Sequence, residues 1–276
     1  MASDARVLVI RPTRGWRSID LGELWSYRDL LYVFVWRDIK VRYRQTLLGA
    51  LWVMGQPLVT MLIFTILFHR VAKLGTGSHV PYPLFVMAGL LLWNFVSAAI
   101  NHGANSLIGA SYLISKVYFP RLLIPLSFVL TDAFDLVVSA LLLVPLMLWY
   151  GVYPGAAVLL APLFVLLAGL FATGIGLWSA ALNVEYRDIR VIIPWVLQLA
   201  MYVTPVVYPL EAVPGRFRWL AVVNPMTGIV EAFRWSLFGT PFDPQPLLWS
   251  IAATLFLMVS GAYYFRRTER RFADLL

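Results

Sequence analysis

Long apolar stretches separated by short charged clusters dominate this chain. Residues 45–69 contain no Asp, Glu, Lys or Arg, and further uncharged stretches follow at 74–115, 136–183, 191–210 and 244–265. A helix rises about 1.5 Å per residue and the hydrocarbon core of a bilayer is roughly 30 Å thick, so about 20 apolar residues cross it. The pattern therefore predicts an all-α integral membrane protein.

Two of these stretches need subdivision. The stretch at 74–115 opens with Gly, Ser and Pro and closes with polar residues, so only its apolar middle is predicted to cross the membrane. The stretch at 136–183 is too long for one span, and the turn residues of Gly151–Gly155 predict a tight hairpin within it. Six spans result, at about Leu47–Phe68, Tyr82–Ile100, Leu122–Tyr150, Ala156–Leu182, Val191–Tyr208 and Leu247–Phe265.

The basic residues predict the orientation. An even number of spans places both termini on one side, and 17 of the 22 Lys and Arg residues then lie on that side. Because positive charge concentrates in cytoplasmic segments, both termini are expected in the cytoplasm. The chain divides into a tail at 1–46 with an amphipathic interface helix, a membrane domain at 47–265 and a basic tail at 266–276.

Composition supports this class and excludes others. The chain is 61% apolar and 13% charged, with a mean hydropathy of +0.77. Its net charge of +8 is explained by anionic lipid headgroups and the cytoplasmic bias, so no nucleic-acid partner is expected. It lacks cysteine and a G-x-x-x-x-G-K-[ST] phosphate loop, so any ATP hydrolysis must take place on another chain.

Two short helices are predicted beside the cytoplasmic ends of the spans. Leu21–Val35 has amphipathic spacing, which suits an interfacial anchor or additionally a docking surface for a cytoplasmic partner. Asn105–Tyr118 is either a helix parallel to the membrane that contacts a soluble motor or a polar loop with a frayed helix. Pro120 is expected to end any helix there.

An amphipathic helix is predicted on the opposite side, over Asn224–Gly239. Asn224 is a suitable cap, Pro225 fits the first turn, and Gly239 suits a left-handed end. The helix dips into the bilayer edge, gates a pore or merely covers the bundle. Its apolar face consists of Met226, Ile229, Val230, Phe233 and Leu237. Glu231 and Arg234 form an i,i+3 ion pair on another face.

Asp132 and Asp135 lie on one face of the third span. Intramembrane carboxylates face a bundle interior, a partner or water, so the pair serves a relay or substrate role or forms a structural hydrogen-bonded pair. Their D-x-x-D spacing also suits metal binding in a membrane enzyme that acts on lipid-linked sugars or phospholipids, although the further carboxylates of a metal pair are missing. His69, His79 and His102 lack metal-ligand spacing and are interpreted as polar boundary residues in loops.

Aromatic residues deep in the spans are candidates for the wall of a glycan path. Aromatic rings stack on the apolar faces of pyranoses, whereas lipid-facing packing is the alternative for each ring alone. The candidates are Trp52, Phe64, Trp195 and Tyr202.

Three motifs in order carry a resemblance to a known family. They are Arg37–Gly49 with Trp52 and Pro57, Leu113–Arg121, and Asn224–Pro225 with Glu231, Phe233 and Arg234. With this order and spacing along six spans, the chain resembles the membrane-spanning subunit of type-2 ABC exporters of polysaccharides, notably bacterial O-antigen, teichoic-acid and capsule permeases. A type-2 permease for drugs or small lipids is the alternative within this class.

The resemblance implies a transport subunit rather than an enzyme. It implies a homodimer with two copies of a separate cytoplasmic ATPase, which binds ATP and Mg, and no cofactor in this chain. The implied substrate is a glycan on an undecaprenyl diphosphate carrier. The location is the bacterial cytoplasmic (inner) membrane, with extracytoplasmic re-entrant gate helices after the fifth span.

Roles for individual residues follow from the same resemblance. Contact with the ATPase is implied for Leu24, Trp25, Leu31, Ser106, Leu107, Ser111 and Tyr112. A channel mouth is implied at Arg42, Tyr43, Arg44, Leu48 and Gly49, and a gate at Asn224, Pro225, Glu231, Phe233 and Arg234. Arg42 and Arg44 suit the phosphates of a lipid carrier, although positive-inside anchoring explains them equally well.

Overall fold

The described part of the chain consists of helices joined by turns and short irregular segments. A computed structural model describes residues 21–44 and 50–272. The predicted mouth residues Leu48 and Gly49 lie outside these ranges. The α-helices are α1 (Leu21–Ser26), α2 (Arg28–Arg44), α3 (Ala50–Phe64), α4 (Tyr82–Gly109), α5 (Ser111–Lys116), α6 (Leu123–Ala140), α7 (Leu143–Tyr150), α8 (Ala161–Glu185), α9 (Ile189–Val203), α10 (Gly215–Val223), α11 (Pro225–Phe238) and α12 (Pro244–Thr268).

Five apolar helical segments are long enough to cross a membrane. They are Leu51–Val71, Tyr82–Gly109, Leu123–Tyr150, Ala156–Glu185 and Pro244–Thr268. The membrane class predicted from the sequence is thus confirmed, and the long spans agree with those predicted apart from their ends.

The predicted fifth span corresponds to the shorter helix α9. Its 15 residues are about 22 Å long at 1.5 Å per residue, less than the roughly 30 Å of a hydrocarbon core. The helix stops at Val203, before the extended residue Thr204 and Pro205, because the residue before a proline is disfavoured in helical conformation. A count of six spans therefore stays a prediction.

Helix α4 is the centre of the bundle and α3 lies at its periphery. Within the most apolar window of each span, 78% of residues are buried in α4, against 11% in the span that contains α3. The main neighbours of α4 are α8 and α6, while α12 packs on the far side of α8. In water such exposed apolar surface would be costly, but lipid or a second subunit covers it in a membrane protein.

Glycines bring helices α8 and α12 into close contact. A Cβ atom added at Gly174 would lie 2.8 Å from the carbonyl carbon of Leu257, and one at Gly261 would overlap the Gly174 carbonyl oxygen. Close backbone approach at small residues is typical of helix pairs in membranes, where packing replaces the hydrophobic driving force.

The structure confirms the hairpin predicted from the sequence and corrects the helix predicted between the second and third spans. The hairpin is confirmed at Gly151, which has φ 66° and ends α7. The helix predicted over Asn105–Tyr118 is wrong in its bounds, because α4 continues through Gly109 and only the six residues of α5 follow. The proline at 120 also does not end that helix, since the backbone is already extended at Val117.

Candidate functional site

A cluster of charged and polar side chains joins three helices at the α2 end of the bundle. We call Arg42, Tyr43, His102, Asp132 and Asp135 the carboxylate cluster. Arg42 on α2 donates to Asp132 at 2.9 Å and also contacts the Asp135 carboxylate, and the Tyr43 hydroxyl donates to Asp135 at 2.6 Å. His102 Nδ1 on α4 lies 2.8 Å from the Asp132 carboxylate. Helices α2, α4 and α6 are thereby tied together.

An ion pair and hydrogen bonds explain why the two carboxylates are tolerated in the bundle. The side chain of Asp132 is fully buried and that of Asp135 is 19% exposed. Burying carboxylates is costly unless they are paired and hydrogen-bonded, and Arg42, Tyr43 and His102 supply these partners. The interpretation of Asp132 and Asp135 as a hydrogen-bonded pair of structural groups agrees with this geometry.

The ionisation of the α2 residues follows from the same contacts. Burial raises the pKa of the Tyr43 hydroxyl, and its hydrogen bond to Asp135 raises it further. For Arg42, burial opposes the charge, but Asp132 and Asp135 outweigh it and raise the pKa above the ordinary value. At neutral pH, Tyr43 is therefore a neutral donor and Arg42 a permanent cation.

Two predictions from the sequence change at this cluster. His102 was interpreted as a loop residue, which is wrong because it lies within α4 and contacts Asp132. Arg42 was offered as a ligand for lipid phosphates, yet it is engaged with two carboxylates, whereas the side chain of Arg44 is exposed. Contacts between residues 90 positions apart leave no signal in local spacing.

The alternative of a membrane enzyme with a metal pair loses its support. The cation beside Asp132 and Asp135 is the guanidinium of Arg42. Within residues 21–44 and 50–272, no group of three or more His, Cys, Asp or Glu side chains is placed to hold a metal ion.

A cleft of about 330 Å³, with a mainly apolar wall that also carries polar side chains, opens beside the carboxylate cluster, between α3, α4 and α6. Of the four aromatic candidates for a glycan path, Trp52 is the one among the described lining residues of this cleft. Trp195 and Tyr202 lie on the exposed face of α9, and Phe64 packs against Phe68 on the outer part of the first span. The structure thus separates the four rings into different surroundings.

The candidate residues for contact with the ATPase differ in their exposure. Trp25 and Tyr112 are 70% and 77% exposed, so both are accessible to a partner. Leu24 and Leu31 are partly buried against the core at this end, and Ser106 and Leu107 are buried inside α4. Ser111 is partly exposed at the start of α5. Trp25 and Tyr112 can therefore contact a partner directly, whereas Ser106 and Leu107 pack inside the bundle.

At the other end, the start of α11 is fixed as its sequence predicted. The Asn224 side chain accepts from the Met226 backbone amide at 3.0 Å, Pro225 occupies the first turn, and Gly239 ends the helix with φ 66°. Asn224 also donates to the Thr204 hydroxyl at 2.7 Å, which links the start of α11 to the end of α9. Phe233 and the rest of the predicted apolar face are buried.

Arg234 is the main departure in this region. An ion pair with Glu231 was predicted, but the buried guanidinium donates to the carbonyls of Phe85 at 3.0 Å and Pro205 at 2.7 Å, and to that of Val206. It also lies 3.6 Å from the centroid of the Phe85 ring. Arg234 therefore fastens α11 to α4 and to the segment after α9 through charge-assisted hydrogen bonds.

The Glu231 carboxylate lies near Arg234 but does not form an ion pair with it. Burial raises its pKa to about 7, and the Glu211 carboxylate adds to this effect. Arg234 and Arg218 oppose the shift, and Asp243 adds to it. Glu231 is thus a group whose charge changes near neutral pH.

Several apolar helices long enough to cross a membrane, a surface helix tied to them by a charge cluster, and the mostly buried helix α11 at the opposite end describe a polytopic membrane protein. Residues 29–238 match the ABC-2 type transporter family, and the chain belongs to that family. It is therefore a membrane subunit of an ABC transporter.

Individual relatives cover nearly the whole chain. The O-antigen export system permease protein RfbA of Myxococcus xanthus is 32% identical over 91% of this chain and 97% of its own length. The protein of the same name from Klebsiella pneumoniae is 27% identical over 90% of this chain and 95% of its own length. The polysialic acid transport protein KpsM of Escherichia coli is 23% identical over 72% of this chain and 77% of its own length.

Proposed function

We propose that this chain is the permease subunit of an ATP-driven exporter that moves an O-antigen-like polysaccharide on a lipid carrier across the bacterial cytoplasmic membrane. The observation that carries the proposal is the similarity, over nine-tenths of the chain, to permeases named for O-antigen export. The family match over residues 29–238 runs from α2 to the end of α11, and so includes the helices that carry the carboxylate cluster and the helix that carries Arg234.

ATP and Mg would act on a separate ATPase, in two copies. The proposed docking surface consists of α1, α2 and α5, where Trp25 and Tyr112 are exposed. Helix α5 follows α4 after a single residue, so a displacement of α5 by the ATPase would be transmitted directly to α4 at the centre of the bundle. Arg42 and His102 connect α2 and α4 to the same aspartate, which supports joint movement of α2 and α4 with α6.

A second copy of this chain would complete the path. The exposed apolar faces of α3 and α9 support such a homodimer, because they are the least covered of the long or medium apolar helices in the described residues. A path for a wide polymer then runs between two copies rather than through one closely packed bundle.

Inactivation of the partner ATPase tests the function. A phosphate-loop variant of that ATPase is expected to abolish surface glycan while the permease stays inserted in the membrane at unchanged abundance. The measurements are antibody or lectin staining of intact cells and immunoblots of membranes. Continued surface glycan under this condition would disprove ATP-driven export by this permease.

Single cysteines test the proposed orientation, because the natural chain contains none. His79→Cys and Arg267→Cys both introduce a thiol at an exposed position, before α4 and near the end of α12 respectively. With both termini cytoplasmic, an impermeant maleimide labels His79→Cys in intact cells and Arg267→Cys only after lysis. The reverse pattern would invert the topology.

A further inference from the structure

The cleft between α3, α4 and α6 has the wall chemistry of a carbohydrate site. Its described lining combines one indole ring with amide, hydroxyl and carboxylate groups. An aromatic face together with several hydrogen-bonding groups fits a ring that is apolar on one side and carries hydroxyls at its edge. The ring and the polar residues of the lining are Trp52, Gln56, Asn94, Ser97, Asp132, Asp135 and Ser139.

The electrostatics of the cleft select against anions. Both aspartates of the carboxylate cluster line it, whereas Arg42 contacts them without being among the lining residues. Of the two, Asp135 is the partly exposed carboxylate, so a phosphate in the cleft would lie beside it, and like charges repel strongly in a medium of low dielectric constant. A hydroxyl group would instead donate to Asp135, whose oxygens have lone pairs beyond those used by Arg42 and Tyr43.

Unsatisfied polar atoms mark the α4 wall. The Ser97 hydroxyl lines the cleft, and it is buried without a hydrogen-bond partner among the described residues. One turn further along α4, the side-chain oxygen of Asn101 is also buried without a hydrogen-bond partner among the described residues. Buried polar groups without partners are uncommon, because each forfeits its hydration, so a partner from outside the chain is expected at Ser97.

We propose that this cleft is a subsite for an uncharged segment of the glycan, with Trp52 stacked on a sugar ring and Asn94, Ser97 and Asp135 bonded to its hydroxyls. The proposal rests on the proposed function and specifies the part of the substrate that is held. The carrier diphosphate is assigned elsewhere, since the cleft presents carboxylates. At about 330 Å³ the cleft is at the small end of ligand pockets, which suits a short stretch of the polymer.

Protection of a single cysteine tests the subsite in the complete transporter. Ala98→Cys on α4 and Val53→Cys on α3 each place a thiol on the wall, and Leu148→Cys on α7 is the control outside the cleft. Cells carry a phosphate-loop variant of the ATPase, so the loaded transporter is arrested. An uncharged, membrane-permeant maleimide is applied to cells that make the complete lipid-linked glycan and to cells blocked before the first sugar is added.

Glycan is expected to slow labelling at both wall positions about tenfold, as occupancy of roughly nine-tenths would do, and to leave Leu148→Cys unchanged. Equal labelling in both strains would overturn the subsite. Slow labelling in both strains, relieved only when the carrier lipid is depleted, would also overturn it and assign the cleft to the carrier. Surface glycan in matched cells with an active ATPase is measured in parallel, so a failed export function is distinguished from a wrong subsite.

Discussion

The guanidinium of Arg42 lies 2.9 Å from the carboxylate of Asp132, although 90 residues separate them along the chain. Through this contact the surface helix α2 is fixed to the buried helix α6, and His102 on α4 meets the same carboxylate. A basic residue that precedes the first span is thus part of the bundle.

Removal of the Arg42 charge tests this contact. Arg42→Met leaves two carboxylates without their cation, and we expect the free energy of unfolding to fall by about 2–3 kcal/mol, since Arg42 is only partly buried. The measurement is thermal unfolding of the purified permease in detergent. Arg44→Met removes an exposed charge on the same helix and is the matched control, with an expected change within about 0.5 kcal/mol. Equal effects of the two variants would show that the contact contributes little.

A single methyl group at Gly174 is expected to separate α8 from α12. The Cβ atom of Gly174→Ala would lie 2.8 Å from both the Leu257 carbonyl carbon and the Met258 amide nitrogen, which are backbone atoms that cannot rotate away. Overpacking of this kind costs about 1–3 kcal/mol. Gly109→Ala, at the end of α4, meets nothing within 4 Å and should leave the melting temperature unchanged or slightly raised. Similar melting temperatures for both variants would contradict the close packing.

Stability of the outer helices is expected to decrease from acidic to neutral pH. The pKa of Glu231 is raised to about 7 in the folded protein, mainly by burial, above the ordinary value of 4.5. Between these values the folded state binds the proton more tightly, so raising the pH removes stability until Glu231 is fully charged above pH 7. The expected loss is on the order of 2 kcal/mol.

Glu231→Gln isolates this effect from other groups. The buried Glu269 also has a raised pKa, so the Glu231→Gln variant keeps part of the pH dependence of stability. Melting temperatures at pH 5.5 and pH 8 are compared for both proteins, and the difference should be smaller in the variant. An unchanged difference would place the titration elsewhere.

Loss of the Tyr112 side chain is expected to weaken coupling without unfolding the permease. Tyr112 is 77% exposed on α5, so Tyr112→Ala should reduce copurification of the ATPase and surface glycan several-fold while membrane abundance is unchanged. Trp149→Ala removes a ring that is 84% exposed on α7, near the opposite end of the bundle, and serves as the control. Equal copurification in both variants would exclude Tyr112 from the docking surface.

The sequence determined the membrane class, the long spans and the local turns. Uncharged stretches identify spans because an uncompensated charge is costly in hydrocarbon, and this cost is read residue by residue. The cap at Asn224 and the left-handed ends at Gly151 and Gly239 are equally local, since they depend on a few neighbouring residues. The motifs also carried the family, which the match over residues 29–238 confirms.

Tertiary structure decided the partners of the buried charged groups. Helical spacing predicts Glu231 as the partner of Arg234, and the family resemblance suggests carrier phosphates for Arg42. In the folded chain Arg234 donates to three carbonyls, and Arg42 contacts two aspartates. A buried charge takes whichever partners surround it after the helices pack, and those partners come from distant parts of the chain. The sequence identifies the charged groups that need a partner, and the packing of the helices determines which partner each group contacts.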